Sequence, residues 1–476
     1  MLLDSERCYQ ALRAHDARFD GRFFVGVAST GIYCRPVCRV RTPRLANCRF
    51  FPSAAAAESQ GFRPCMRCRP ELAPGNAAID AGARLVQAAA GMIEDGLLAD
   101  AGVETLAARL GVTYRHLRRV FREELGVSPV QFVQTQRLLL AKRLLTDTAL
   151  PVTEVAMASG FGSLRRFNAL FLARYRLRPS ELRKAAGDAS PGALEFSLGY
   201  RPPLDWDALL AFLARRTIAG VECVQDGVYL RTARIGSRTG WFAVMHDQAR
   251  SAIRVAVSAS LSGAVPAVLA RVKRIFDLGC DPERVAAALG PLAQRRPGLR
   301  LPGAFDGFEA AVRAILGQQI TVRAAHTIAG RFAAAFGDPV ESHHPALNVV
   351  FPSVSRVATL APSDIAAVGI VSARARAIVG IATALHTAQL RLDPGAEVEA
   401  TLAALRALPG VGEWTAQYLA MRALGWPDAF PHTDYGVLKA LGETNPRRAL
   451  ASAEQWRPWR AYAVIHLWNS LEDSPS

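Results

Sequence analysis

The sequence predicts a multidomain, mainly helical protein with α+β parts, and three features carry that expectation. Four cysteines near the N-terminus form a C-x3-C and a C-x2-C pair, Cys34 with Cys38 and Cys65 with Cys68. Two glycine-turned helix pairs follow between residues 77 and 186. Short strand-like runs then mix with helices over residues 194–297, and residues 298–476 read as helical. A chain of 476 residues exceeds what one hydrophobic core serves, so several domains are expected. The divisions fall at 1–74 for a small cysteine-bearing head, 77–186 for a helical domain, 187–193 for a linker, 194–297 for a mixed domain and 298–476 for an all-helical one.

The cysteine spacing suits one tetrahedral zinc ion, because each close pair supplies two thiolates from one turn and the intervening loop brings the pairs together. A purely structural zinc ribbon is the plain reading of such a set. The flanks argue for more: Gly31 to Arg39 and Gly61 to Cys68 place arginines beside both pairs, a charge that a clip does not need and a phosphate does. Cys48 lies between the pairs but stands alone before Arg49-Phe50-Phe51, and reads as a small core residue. Cys8, Cys223 and Cys280 are scattered, which argues against a disulfide framework and for a reducing compartment.

The formal charge is +16, carried almost wholly by arginine, whose planar fork suits phosphate. A charge of that size and sign favours a nucleic-acid partner over a small acidic substrate. No run reaches the roughly 18–20 apolar residues of a membrane span, and Met1 to Arg7 lacks a leader pattern. A cytoplasmic, nucleoid-associated monomer without a membrane partner is expected.

In the helical domain, Val103 to Leu110 and Tyr114 to Leu125 flank Gly111-Val112-Thr113, with Thr113 placed to cap the second helix. Leu117, Val120, Phe121 and Leu125 share one face, leaving Arg115, Arg118, Arg119 and Arg122 outside. A second pair runs from Val152 to Ser159, turns at Gly160-Phe161-Gly162, and continues from Ser163 with Phe167, Leu170 and Phe171 inward and Arg165 and Arg166 outward. One such pair occurs in many helical proteins. Two on one chain, each with arginines on its second helix, fit successive major grooves.

This duplicated arrangement resembles the AraC-type DNA-binding domain, through Gly160-Phe161-Gly162-Ser163, Phe167, Phe171 and Arg178-Pro179-Ser180. Residues 1–70 resemble the zinc domain of the Ada family of methylation sensors. That resemblance implies that Cys34 accepts a methyl group from a DNA methylphosphotriester, with Thr30, Arg41 and Arg63 holding the phosphate and a zinc ion that is both structural and activating. The electrostatics agree: four thiolates on Zn²⁺ carry a net charge of about −2, and methylation of one removes a negative charge and strengthens DNA binding. Transcriptional activation, with RNA polymerase as partner, follows from the same resemblance.

The last strong signal is Leu408-Pro409-Gly410-Val411-Gly412-Glu413-Trp414, a tight hairpin whose following helix offers N–H groups to a phosphate. About twenty residues on comes Phe430-Pro431-His432-Thr433-Asp434-Tyr435, an aspartate in a polar turn before another helix. An N-cap is the ordinary use of such an aspartate. The pairing resembles the helix-hairpin-helix DNA glycosylases, and residues 194–476 as a whole resemble the AlkA-type 3-methyladenine glycosylases. The resemblance implies that Asp434 is the catalytic carboxylate and that Trp414, Tyr418, Trp468 and Phe212 line the base pocket. Gly410 and Gly412 would grip DNA, and Gln319 would fill the gap left by the flipped base.

Departures and absences refine the expectation. Gln319 replaces an apolar wedge, and Thr433 replaces an acidic neighbour of Asp434. Trp414 stands where bifunctional relatives place a lysine nucleophile, so hydrolysis to an abasic site is expected without a lyase step. No cysteine follows Cys280, so no iron–sulfur cluster is expected, and no Pro-Cys-His-Arg motif marks a second methyltransferase. The rival readings are a transcriptional regulator whose glycosylase-like half binds DNA without catalysis, and an enzyme whose N-terminal half is only a DNA tether.

Overall fold

The computed structural model describes residues 4–74, 81–94, 102–148, 150–183 and 193–472. The chain forms two compact units, the first of Met1–Pro202, Asp247–Ala270 and Leu278–Asp281, the second of Pro203–His246, Arg271–Asp277 and Pro282–Ser476. The fold is multidomain and mainly helical with α+β parts. The linker expected at 187–193 lies, apart from Ala193, outside the described residues.

The first unit opens with helix Ser5–Arg13, capped by Asp4. Strand Phe24–Val27 pairs antiparallel with Ile32–Cys34 on one side and Cys48–Phe51 on the other. Arg63–Pro64 joins the far edge in parallel, setting Ile32 against Arg63. Gly26 is fixed by crowding, since a Cβ there would lie 2.7 Å from the Phe51 ring and 2.9 Å from that of Phe62. The strand that carries Cys34 is therefore held from both sides.

The helix pairs form as the sequence indicates, at Val103–Arg109 with Tyr114–Leu125 and at Val152–Ala158 with Leu164–Tyr175. Thr113 and Ser163 cap the second helix of each pair, accepting from the His116 and Arg166 backbone N–H groups. Helix Pro129–Asp147 connects the pairs and begins with a Ser128–Gln131 capping box. Leu125 and Leu170 are half-buried, at the rim of the core faces expected of them.

The head and the first helix pair share one hydrophobic core. Phe24, Tyr33, Phe51, Phe62 and the alanines of helix Ala54–Ser59 cluster with Leu106, Leu117, Phe121 and Phe132. Burying each aromatic ring contributes roughly 2–3 kcal/mol, so this joint is a firm one. A strand the sequence reading did not anticipate, Ala193–Gly199, pairs antiparallel with Ala252–Ser258. Its alternating Leu194, Phe196 and Leu198 were masked by the Gly- and Ser-containing stretch immediately before it.

In the second unit, Glu222–Gln225, Val228–Ile235 and Arg238–Asp247 form an antiparallel meander, and helix Trp206–Ala214 precedes it. The helices that follow include Gly307–Leu316, Val322–Phe336, Ser372–His386, Val398–Ala407, Glu413–Arg422, Tyr435–Leu441 and Arg460–Glu472. The all-helical expectation after residue 298 needs one correction: Asp338–Pro339 pairs with Val349–Val350. The apolar run Val349 to Phe351 suits a strand, and Thr232 Oγ1 donates to the Val349 carbonyl at 2.8 Å, holding the short ladder against the meander.

A buried ion network ties the meander to helix Gly307–Leu316. Arg231 bridges Glu222 (3.1 Å) and Glu309, and Arg313 meets Glu309 (2.7 Å) and Glu222. Burial alone would push Glu309 up, but Arg231 and Arg313 outweigh it and hold its carboxyl down at about 2. No helix among the described residues is long and apolar enough to cross a membrane.

Candidate functional sites

In the head, the Sγ atoms of Cys34, Cys38, Cys65 and Cys68 all lie within 4.8 Å of one another. Tetrahedral zinc with bonds of about 2.3 Å places its sulfurs roughly 3.8 Å apart, so the cluster has the right dimensions. Three of the cysteines are buried and Cys68 is half-buried. Crowding distributes protons unevenly among them, with the hydrogen bond to Cys38 pushing the Cys34 thiol up and that to Cys34 drawing the Cys65 thiol down. A divalent cation replaces the shared protons that four packed thiols otherwise require, and the Arg35 backbone N–H already donates to Cys68 Sγ at 3.4 Å. The donor set fits zinc.

Arg35 itself is not available to DNA, because its guanidinium pairs with buried Asp20. Thr30, in the turn leading to the Cys34 strand, and Arg41 are exposed, while Arg63 is half-buried beside Ile32. Arg39 and Arg67 are exposed next to the cysteine pairs. Cys48 is half-buried at the edge of the Cys8–Phe23–Val25 cluster, and its Sγ donates to the Arg44 carbonyl, which matches a packing role. Arg115, Arg118, Arg165 and Arg166 are all exposed on the second helices of their pairs.

The second unit builds a different site. Gly410 has φ +84°, and a Cβ there would stand 2.9 Å from that of Ala377, so conformation and contact both demand glycine. Gly410 and Gly412 are exposed at the hairpin tip, and Gly412 opens helix Glu413–Arg422. The first turn of that helix carries Trp414, and the next carries Tyr418, the two rings stacking at 5.2 Å. Across from them, Asp434 Oδ2 accepts from Trp414 Nε1 at 2.8 Å, and Asp434 Oδ1 accepts from Trp468 Nε1 at 2.9 Å. Oδ1 also accepts from the Val437 N–H at 2.9 Å, so the aspartate does cap helix Tyr435–Leu441. Three fixed donors therefore hold the carboxylate in one orientation.

Phe212 completes the group. Its ring lies 6.5 Å from that of Trp468 and within 13° of parallel, farther apart than a direct stack such as Trp414 on Tyr418. A residue that sequence reasoning missed joins this group. Arg422, buried, donates to Tyr418 Oη at 2.8 Å and lies 4.9 Å from the Phe212 ring centre. Its position eight residues after Trp414, two helical turns along one face, was the available signal. Gln319 is exposed and left-handed, with φ +56°, at the end of helix Gly307–Leu316. The structure thus brings Asp434, Trp414, Tyr418, Trp468 and Phe212 together, and gathers the four cysteines separately.

Fold and sites together define a helix-hairpin-helix base-excision repair protein that also carries a metal-binding head and helix-turn-helix units. Family models match the metal binding domain of Ada over residues 7–71, a helix-turn-helix domain over 106–185, the AlkA N-terminal domain over 195–306, and the HhH-GPD superfamily of base excision DNA repair proteins over 312–457. The chain belongs to the family of bifunctional transcriptional activator/DNA repair enzymes of the AlkA type. It is 40% identical over 485 residues to the probable bifunctional transcriptional activator/DNA repair enzyme AlkA of Mycobacterium tuberculosis (strain H37Rv), covering 98% of this chain and 97% of that one. It is 37% identical over 273 residues to DNA-3-methyladenine glycosylase 2 of Escherichia coli (strain K12), covering 57% of this chain and 96% of that one. The 3-methyladenine DNA-glycosylase of Archaeoglobus fulgidus shares the fold, with a TM-score of 0.51 at 20% identity over 58% of this chain and 99% of that one.

Proposed function

We propose that the chain senses DNA alkylation through Cys34 and removes alkylated bases through Asp434, with the divisions 1–74, 77–186, 194–297 and 298–476 acting as sensor, promoter reader, pocket wall and glycosylase. DNA is the partner of both halves. Zinc held by Cys34, Cys38, Cys65 and Cys68 would keep the sulfurs as thiolates at neutral pH. The Cys34 sulfur attacks the methyl carbon of a phosphotriester; the S–C bond forms as the C–O bond breaks, and the phosphodiester leaves with the electron pair. Thr30, Arg41 and Arg63 orient the phosphate. The head ends one negative charge lighter, which raises its affinity for DNA and supports activation through RNA polymerase.

In the glycosylase the substrate base already carries positive charge, so the C1′–N bond breaks with little acid assistance and the electron pair departs with the base. Asp434 stabilises the oxocarbenium-like sugar, guides water to C1′ and receives the proton that the water sheds. Trp414, Tyr418, Trp468 and Phe212 hold the flipped base by stacking and cation–π attraction, roughly 0.5–2 kcal/mol per ring. With Trp414 in place of a lysine, no Schiff base forms and an abasic site is the product. The observation that carries this half is the Asp434 carboxylate, fixed by two indole N–H groups inside an aromatic pocket.

One incubation with methylated duplex tests both halves. Mass spectrometry is expected to find a single methyl on Cys34, lost in Cys34→Ala, and chromatography to find free 3-methyladenine, lost in Asp434→Asn. Release that survives Asp434→Asn, or methyl found on another cysteine, sinks the corresponding assignment.

A further inference from the structure

We propose that Gln318 is a positioning residue that locks the base-displacing turn to the DNA-gripping hairpin; the proposal rests on the glycosylase reading above. Helix Gly307–Leu316 ends just before it, and Gln319 follows in the left-handed region, which a residue bearing a Cβ adopts only when its surroundings hold it there. The Gln318 side chain supplies that hold. Its Nε2 donates to the Gly410 carbonyl and to Thr415 Oγ1, each at 3.0 Å, so both amide protons are engaged. The Gln318 backbone carbonyl accepts from Arg374 Nη2. Gly410 is the hairpin glycine, and Thr415 adjoins Trp414, which donates to Asp434. One amide therefore links the phosphate grip, the wedge and the wall of the pocket, so that gripping DNA sets Gln319 at a fixed height in the duplex. No other donor of this kind reaches the Gly410 carbonyl among the hydrogen bonds of the described residues.

The test separates displacement from chemistry. Single-turnover excision of 3-methyladenine by the full chain is measured on a fully paired duplex and on the same lesion inside a mispaired bubble, where no base has to be pushed from the stack. Gln318→Ala and Gln318→Glu, which cannot donate, are expected to lower the paired rate at least about tenfold while lowering the bubble rate less than about twofold, in line with the effect of small misplacements. Equal loss on both substrates, or no loss on either, overturns the positioning role. A wild-type chain inactive on both substrates overturns the glycosylase reading instead.

A separate observation in the first unit carries a second inference. Glu58, on helix Ala54–Ser59 of the head, is 2% exposed inside the shared core. Its Oε1 accepts from Tyr33 Oη at 3.0 Å and Tyr175 Oη at 3.5 Å, and its Oε2 accepts from Thr135 Oγ1 at 3.0 Å. Arg174 Nη1 donates to its backbone carbonyl at 2.8 Å. Tyr33 precedes Cys34, Thr135 sits on the connecting helix, and Arg174 and Tyr175 end the second helix of the second pair. We infer that this carboxylate couples the acceptor strand to that helix, so that a change at Cys34 is felt by Leu164–Tyr175; the inference rests on the sensor reading.

Amide exchange of Leu164–Tyr175 is compared before and after the full chain meets a methylated mixed-sequence duplex, with methyl uptake followed by mass. Wild type is expected to change exchange in this helix on methylation. Glu58→Leu and the near-isosteric Glu58→Gln are expected to take methyl at the wild-type rate, with Glu58→Leu losing the exchange response. Full uptake with an unchanged response in Glu58→Leu, or no response in wild type after uptake, overturns the coupling. Failure of wild type to take methyl overturns the sensor reading.

Discussion

Glu58 and Glu309 are both buried carboxylates, yet the two units treat them in opposite ways. Glu309 sits between Arg231 and Arg313, and the paired charges hold it ionised at about 2. Glu58 has hydroxyl partners, while the nearby Arg174 binds its backbone carbonyl, and burial pushes it up to about 7 against the hydrogen bonds from Thr135 and Tyr33. The first arrangement is rigid, because removing either partner strands a charge in a low-dielectric interior. The second is soft, since one proton changes its hydrogen bonding. The first fixes a joint, and the second lets one proton alter it.

The largest effect should come from breaking the rigid network. Glu309→Ala is expected to destabilise the second unit by about 3–5 kcal/mol, because two arginines lose a buried partner. All seven tryptophans lie from Trp206 onward within that unit, so tryptophan fluorescence in urea reads it without interference from the first. A loss below about 1 kcal/mol would show the network to be dispensable.

The next effect is a difference in pH dependence. Glu58 has a folded value above its usual 4.5, so its neutral form is favoured by folding. The Glu58 contribution to the stability of the first unit should be greatest below about 4.5 and fall, on the order of 3 kcal/mol, as pH rises through about 7. Glu58→Gln should flatten that slope in hydrogen exchange of helices Ala54–Ser59 and Pro129–Asp147. Glu309 has the opposite sign: its stabilisation is present above about 4.5 and is lost as pH falls toward about 2. Buried His466, lowered to about 4 by burial, adds an acid-side loss in the same unit between about 6.5 and 4.

The smallest effect is Tyr33→Phe, which removes one donor to Glu58 at a cost of about 1 kcal/mol. It should also push the folded-state titration of Glu58 to higher pH, so that the loss of first-unit stability with rising pH runs further and is larger. An unchanged midpoint would show that the Tyr33 hydroxyl does not stabilise the ionised form.

Much of this architecture is written locally. The cysteine pairs, the Thr113 cap, the Gly410 turn and the Asp434 turn each depend on residues a few positions apart, and all were legible in the sequence. The pocket aromatics were legible only through resemblance, because Phe212 and Trp468 are 256 positions apart and no periodicity joins them. Glu58, Glu309 and Gln318 were not legible at all. Each has a partner far along the chain, 77, 78 and 92 residues away respectively, and a buried glutamate on an alanine-rich helix looks like a solvated one until the fold is known. Strand Ala193–Gly199 escaped notice for a different reason, since the turn-forming residues before it hid its alternation.

The spacing of Phe212 and Trp468 has a consequence of its own. An aromatic ring inserted between two others needs about 3.5 Å on each side, and the two centres stand 6.5 Å apart. On the glycosylase reading a flat ring would enter only after these walls part somewhat. A puckered, saturated ring is thicker and meets a gap that must open much farther. On that reading these two rings would weigh planarity as well as charge, a flat base meeting less resistance there than a puckered one.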